Sequence, residues 1–446
     1  MPAVRRLARG GLILLIGALA IAAACSDDGE PDEGSVTPGT STPAAGSGPE
    51  LVSSDVARNE ANPAAAGAIE AATNAFAADL YAALAAREAG NLVFSPYSAA
   101  IALAMTREGA AGQTASELDA VLHAGLAGDL GAGFNALDQA LASIAGEYEV
   151  GDETVTLELA TANQLFGQQG FEFQQPFLDA LAADYGAGMR LVDYAADPDG
   201  SRRLINEWVA GQTRDRIEEL IPAGVIDQLT RLVLTNAIYL NAPWERTFEE
   251  AATADGAFTT LAGNEVTAPF MRQRASFPYA AGDGFQAVEL PYVGGRLSML
   301  LVLPDEGVFE TLEASLTAES IAAFRAALTP IEVDLALPRF EFRTQAPLKS
   351  ILSELGMPTA FTEAADFSGI SLEADLLIQD VLHEAFISVD EDGTEAAAAT
   401  AVVVGLTSAP LESVELRLDR PFLFLIQERE TGAVLFLGRV TDPTTD

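Results

Sequence analysis

Helical periodicity is concentrated toward the beginning of this chain and strand patterning toward its end, and the two do not alternate in the β-α-β rhythm that a parallel sheet with crossover helices requires. That order prescribes an α+β fold. A first helix is read over Asn62 to Ala89, where Ile69, Phe76, Leu80 and Leu84 recur at helical spacing and Gly90 closes the run. Ser95-Pro96 opens a second, populated by Ile101, Leu103 and Met105. Gly109 and Gly112 mark the turn before a third over Thr114 to Leu122, with Thr114 as its cap and Glu117 in capping-box register. Further helical stretches lie around Phe177 to Tyr185 and Leu204 to Leu220. Strands are read over Thr154 to Phe166 and Leu229 to Leu240, and Phe285 to Leu303 reads as a hairpin turning at Gly294-Gly295. Ile331 to Phe342 alternates strictly, and Val414 to Gln427 and Ala433 to Val440 flank a turn at Glu430-Thr431-Gly432. The sequence contains no internal repeat.

With 446 residues and 49% hydrophobic composition, the chain can bury one large core or two modest ones. It has one cysteine, Cys25, so no intramolecular disulfide forms and the fold stands on packing alone. The formal net charge is −41, which disfavours nucleic acid and anionic membrane surfaces as partners. Lys349 is the sole lysine, and the acidity reads as a contribution to solubility rather than to mechanism.

The N-terminus has the form of an export signal. Arg5, Arg6 and Arg9 precede an apolar run from Gly11 to Ala24 that is short for a membrane span, and Ala22, Ala23 and Ala24 lead directly into Cys25. The pattern resembles the bacterial lipobox, with Ala22 where leucine is commoner. That resemblance implies a signal peptide over 1–24, lipidation of Cys25 and a location outside the cytoplasm, at the cell surface or in the periplasm, with the membrane reached through the lipid alone. An ordinary cleaved signal and an uncleaved anchor are the alternatives. Residues 25–60, rich in Asp, Glu, Gly, Ser, Thr and Pro, read as a flexible acidic linker, leaving 61–446 as the folded domain.

Catalytic chemistry is hard to assemble from this sequence. Two histidines, His123 and His383, are available as bases, no G-x-S-x-G elbow occurs, and the cysteine belongs to export. His383-Glu384 lacks the second histidine of a zinc motif, and no glycine-rich phosphate cradle follows a strand. In Asp390 to Gly393 a calcium loop fails in register, because Ser388 and Ala399 would fall at its first and last ligand positions. Carboxylate pairs among 65 acidic residues carry little information, and Arg202-Arg203 is too small a basic cluster for a polyanion. The expectation is a protein that is not an enzyme, with no metal and no cofactor.

One segment does not look like an ordinary loop. After Glu395, sixteen residues from Ala396 to Leu411 carry no charge, first small and then β-branched. Extended, the segment puts Thr394, Ala396, Ala398, Thr400, Val402 and Val404 on one face, suited to packing over a core. A helix through the alanines, or an ordinary core strand at Val402 to Val404, is equally compatible with the residues alone.

The flanking motifs carry a family resemblance. Asn91 to Met105 (NLVFSPYSAAIALAM) followed by Gly109-Ala110 and Gly112-Gln113-Thr114, Leu232 to Trp244 (LVLTNAIYLNAPW), Glu391 to Ala399 (EDGTEAAAA), and Leu416 to Ile426 (LRLDRPFLFLI) with Gly438 resemble, in order, motifs of the serpin family. The resemblance extends from about Ala64 to the C-terminus. It implies a fold of three β-sheets with about eight or nine helices and an exposed reactive-centre loop. It also implies a single-use inhibitor of serine-type proteases, whose cleaved loop inserts as a strand into the main sheet. The hinge of that loop falls on Glu391, Gly393, Thr394, Glu395, Ala396, Ala397, Ala398 and Ala399. The bait bond falls at Thr407-Ser408, with Leu406 as the next choice. Ser95, Ser98, Asn236 and His383 match a polar cluster beneath the opening region of the sheet, and Trp244 an aromatic residue near the first insertion point. The implied partner is an elastase-, subtilisin- or chymotrypsin-like serine protease, or else a cysteine protease, met by a monomer. A non-inhibitory serpin, a chaperone or carrier, is the alternative.

Overall fold

The computed structural model describes residues 49–151, 153–373, 375–395 and 413–445. Strand β1 (Glu50–Val52) leads into α1 (Pro63–Ala85), which starts where Asn62 accepts a hydrogen bond from the Ala64 N–H and Pro63 supplies the first turn. β2 (Leu92–Phe94) precedes α2 (Pro96–Arg107), capped by the Ser95 hydroxyl on the Ser98 N–H. Next come α3 (Gly112–Val121), α4 (Ala124–Ala127), α5 (Leu130–Ala142), β3 (Gly146–Val150), β4 (Glu153–Thr161), β5 (Gln164–Gln168), α6 (Gln175–Tyr185), β6 (Met189–Val192), α7 (Pro198–Gln212) and β7 (Leu232–Pro243). The remainder is mostly sheet: β8 (Ala254–Thr259), β9 (Glu265–Gly282), β10 (Phe285–Pro291), β11 (Leu297–Pro304), then α8 (Phe309–Ala314), α9 (Ala318–Ala326), β12 (Thr329–Pro338), β13 (Phe340–Pro347) and α10 (Lys349–Leu355). The chain ends through β14 (Val381–Val389), β15 (Gly393–Thr394), β16 (Val414–Arg417), β17 (Phe422–Glu428) and β18 (Val434–Val440).

The main sheet runs β1-β6-β5-β7-β15-β14-β13, with β4 also on β7 and β3 on β4. The second runs β16-β12-β9-β10-β11-β17-β18-β2, with β8 on β9. Three sheets were expected and two are found among the described residues. The 18-residue β9 pairs with β8, β12 and β10 in turn, fusing the second and third sheets into one ladder. The described residues hold ten α-helices, against the eight or nine that the resemblance implies; the smallest, α4 and α8, have four and six residues.

Other expectations need correction at element ends. Thr114 does not cap α3: its hydroxyl accepts from the Asp366 N–H, and Glu117 is taken by the N–H and hydroxyl of Thr359. The strand read at Thr154 to Phe166 is β4 and β5, which lie in a single register along β7 with an interruption at Ala162-Asn163. The helix read at Leu204 to Leu220 starts earlier, capped by Asp197, and ends before Arg214 and Asp215, whose φ values of 52° and 60° belong to the left-handed region. The alternation of Ile331 to Phe342 is shared by β12 and β13 in different sheets, divided after Pro338, where the Arg339 N–H turns to the Pro269 carbonyl. Val414 to Gln427 likewise divides into β16 and β17 around Pro421.

Residues of α2 from Pro96 to Thr106 are all buried, placing this helix inside the main core. A second cluster, including Phe166, Ile205, Val209, Val233, Ala237 and Leu382, lies between the opposite face of the main sheet and α7. The centre of the main sheet is therefore buried on both faces, so any strand lying there must be uncharged and lightly built.

Candidate functional site

β7 and β14 are parallel strands that meet in two different ways. From Leu234 to Ile238 on β7 and Val381 to Ala385 on β14 they pair directly. Toward their other ends β15 lies between them, with Thr394 opposite both Ala242 and Val389 and Gly393 opposite Pro243. The sheet is thus parted at one end and closed in its middle, and the wedge is formed by Gly393 and Thr394, just before the uncharged run that begins at Ala396.

The wedge fits because of its residue types. A Cβ on Gly393 would lie 2.2 Å from the Ala242 carbonyl oxygen and 2.8 Å from the Pro243 Cα, both backbone atoms that cannot step aside. Thr394 is buried and shares a hydrogen bond of 2.6 Å with the Tyr292 hydroxyl. Burial raises the pKa of that phenol, which therefore stays neutral. Tyr292 stacks on Trp244 with centroids 4.6 Å apart and planes at 7°. Trp244 is more than core filling: its backbone N–H donates to the Asp392 carbonyl at 2.8 Å and its indole N–H to the Asp390 carbonyl at 3.0 Å.

The acidic residues of the hinge are individually held. Glu391 accepts from Nε and Nη2 of Arg339 at 2.9 and 2.6 Å and from the Thr253 hydroxyl. Burial alone would raise its pKa, but those hydrogen bonds outweigh it and leave the carboxyl below its ordinary value. Asp390 folds back on its own turn, accepting from the N–H groups of Asp392 and Gly393, and burial raises it. Glu395, with φ at 55°, turns out of the extended conformation and forms an ion pair with Arg216. Burial raises its pKa and Arg216 opposes the shift.

Below the wedge a row of polar side chains crosses the sheet. Asn163 stands opposite Asn236 in the register of β4 and β5, and Asn236 stands opposite His383. The Asn236 Oδ1 meets the imidazole Nδ1, and the Ser95 backbone N–H donates to Nε2 at 3.0 Å. These partners define a neutral ring with its proton on Nδ1. Burial in the core drives the His383 pKa down to about 4. The Ser98 hydroxyl donates to Asn163 Oδ1 at 2.5 Å. The amide nitrogens of both Asn163 and Asn236 are buried without a partner among the described residues, so the row is short of acceptors there.

The structure therefore brings Ser95, Ser98, Asn236 and His383 together in the middle of the sheet, and places Trp244 with Gly393 and Thr394 at its parted end. Cys25, Ala396, Ala397, Ala398, Ala399, Leu406, Thr407 and Ser408 lie outside the described residues. Sequence reasoning missed Asn163, Tyr292, Thr253, Arg216 and Arg339. The continuation of the polar row along a strand already read would have suggested Asn163. Arg339 follows a proline in an alternating run, and nothing there signals a partner 52 residues away.

A family model described as serpin (serine protease inhibitor) matches residues 71–443. The chain belongs to the serpin family. An uncharacterized serpin-like protein of Thermococcus kodakarensis is 41% identical over 376 residues, covering 83% of this chain and 85% of that protein. Leukocyte elastase inhibitor A of Mus musculus is 36% identical over 364 residues, covering 79% of this serpin and 93% of the mouse protein. Among solved structures, the thermophilic serpin tengpin in its native state superposes with a TM-score of 0.76 at 26% identity, over 88% of this chain and 97% of tengpin. Uncleaved ovalbumin gives a TM-score of 0.73 at 27% identity, over 84% and 100%.

Proposed function

We propose that this serpin inhibits serine-type endopeptidases as a single-use substrate. The protease serine attacks the carbonyl of the bait residue, Thr407 in our reading, the amine of Ser408 leaves, and an acyl-enzyme forms. The freed segment after Thr394 then inserts between β7 and β14, carrying the protease with it before water can release it. The observation that carries the reading is the seat of Gly393 and Thr394, already in ladder positions between strands that elsewhere pair with each other.

On this reading, an inserted strand continuing that register would lie with Ala398 between Ile238 and Ala385, Thr400 between Asn236 and His383, and Val402 between Leu234 and Val381. The residues that would displace the direct β7–β14 pairs are therefore Ala398, Ala399, Thr400, Ala401 and Val402, none charged and none large, between two buried faces. An inserted strand of about a dozen residues makes on the order of 10 to 20 main-chain hydrogen bonds at roughly 1 kcal/mol each, less those of the direct β7–β14 pairs that it displaces. Relatives named as elastase inhibitors support a serine protease as the partner class. We further propose export and lipidation at Cys25, which intact-mass measurement of membrane-extracted protein tests.

Cutting the loop with an elastase- or subtilisin-like protease and following thermal unfolding tests the function. An inhibitor becomes far more resistant to heat after the cut and forms a detergent-stable complex with its protease. A carrier or chaperone of the same fold forms no complex and gains no resistance.

A further inference from the structure

The segment before α1 lies outside the span of the family match, yet it is built into the molecule. β1 pairs antiparallel with β6, Leu51 opposite Arg190 and Val52 opposite Met189, so β6 is no longer the outermost strand on that side. Past β1 the chain crosses to the helices: Ser54 donates to Asp179 at 2.5 Å, and Asn59 binds α6 through its N–H to the Ala183 carbonyl at 2.8 Å and its amide to Asp184 at 2.7 Å. Arg58 reaches α5, donating from Nε to Asn135 at 2.9 Å and from Nη2 to Asp138 at 2.7 Å. Two glycines make room for this path. A Cβ on Gly188 would lie 2.6 Å from the Val52 carbonyl oxygen, and one on Gly186 would lie 3.0 Å from the Arg58 side chain.

We infer that residues 49–60 are a strap that restrains opening of the main sheet, acting at the β6 edge and, through Arg58, on the helix that carries Ser95 and Ser98. The inference rests on the loop-insertion reading above. Insertion requires the β1-β6-β5-β7 side of the sheet to part from β14-β13. The strap ties β6 to α5, and α5 is seated hard on α1, because a Cβ on Gly133 would lie 2.7 Å from that of Ile69. The same Asp138 that pairs with Arg58 accepts from the hydroxyl of the fully buried Tyr97 at 2.9 Å. Tyr97 stands between Ser95, whose N–H holds His383, and Ser98, which holds Asn163. Hydrogen bonds thus run from Arg58 through Asp138 to Tyr97, and the backbone at the start of α2 carries the connection on to Ser95 and Ser98 of the polar row; the element with two arrangements is the sheet, closed or parted.

The test uses the full chain with Arg58→Met, which removes the bonds to Asn135 and Asp138 but keeps an apolar stem, and separately Gly188→Ala, which lifts Val52 without touching Arg58. Each is incubated without protease while residual capacity to inhibit a subtilisin-like protease and resistance to heat are followed. Each variant is expected to convert to an inactive, heat-resistant form faster than wild type, Arg58→Met by about tenfold, the scale that loss of a charged hydrogen bond carries. Amide exchange should rise in Arg58→Met at Met189–Val192 and at Tyr97 and Ser98, far from the substitution in sequence. Conversion at the wild-type rate, or exchange raised only within 49–60, overturns the inference. If cutting the loop of the wild type brings no heat resistance, the insertion reading has failed independently, and the exchange comparison still decides whether the strap restrains β6 and α2.

Discussion

Asn236 and His383 face each other where β7 and β14 pair directly, with the carboxamide oxygen holding the imidazole Nδ1 proton and the carboxamide nitrogen left without an acceptor. A sheet that keeps unmet donors at its centre, the amides of Asn163 and Asn236, is less tightly closed than it could be. On the proposed insertion, a strand continuing the register of Thr394 against Ala242 and Val389 would bring Thr400 between Asn236 and His383 and onto their face of the sheet. Its hydroxyl can accept from the Asn236 amide, so the inserted state satisfies a donor that the starting state leaves unpaired.

Thr400→Val keeps the shape and removes the hydroxyl. The uncut protein is expected to unfold as wild type does. The loop-cut form should lose about 1–2 kcal/mol of stability, as expected for a buried polar group left unmet. Denaturant unfolding of both forms checks this, and an equal effect on each would exclude the proposed meeting of Thr400 with the polar row.

The same row sets a pH dependence. His383 has a folded pKa of about 4, below its ordinary 6.5, because burial disfavours the charged ring. Protonation would also set an Nε2 proton against the Ser95 N–H. Below 6.5 the unfolded chain takes up a proton that the folded protein refuses, so the contribution is complete above 6.5 and is lost as pH falls toward 4. The loss amounts to roughly 3 kcal/mol at 1.36 kcal/mol per unit. Unfolding measured from pH 7 to pH 4.5 should therefore show a steeper decline in wild type than in His383→Gln, and parallel curves would contradict the assignment.

The sequence displayed what is local and concealed what is distant. Asn62-Pro63 and Ser95-Pro96 start α1 and α2 because a cap and a proline act within one turn. The 18-residue β9 escaped because Pro269, Pro278 and the polar run at Arg272, Gln273 and Arg274 break the alternation that marks a strand. In the site, Thr394 and His383 were legible only through family motifs, since Ser95 and His383 are 288 positions apart and Tyr292 and Thr394 are 102 apart. Hydrophobic periodicity reports which face of an element is buried, not which element lies against it.

Specificity follows from the loop's lack of charge. No Arg or Lys occurs between Thr394 and Leu416, so a protease pocket with a buried acid would be left without its partner. Elastase-, subtilisin- or chymotrypsin-like enzymes are expected to be inhibited with cleavage after Thr407 or Leu406, as identified by mass spectrometry of the released C-terminal peptide. Rapid stoichiometric inhibition of trypsin, with cleavage after an arginine, would contradict this.

The mechanism is tested most directly at Thr394, whose side chain lies against Tyr292 between β7 and β14 and is 3% exposed. Thr394→Arg would place a cation there with no carboxylate in its described hydrogen bonds, and an unpaired buried charge costs several kcal/mol even after relaxation. The hinge can avoid that cost by leaving the slot, so the protein is expected to fold while the first step of insertion becomes slow. The bait bond at Thr407, thirteen residues away, should still be cut. The protease then deacylates before it is carried off, so the variant behaves as a substrate: cleaved chain accumulates, protease activity persists, and no detergent-stable complex forms. Ala398→Asp should act in the same direction but more weakly, since on the proposed insertion Ala398 would enter the sheet after Thr394. Thr394→Ser, which keeps the hydroxyl for Tyr292, should inhibit as wild type does. Complex formation by Thr394→Arg at the wild-type rate and stoichiometry would mean that inhibition does not proceed through this hinge.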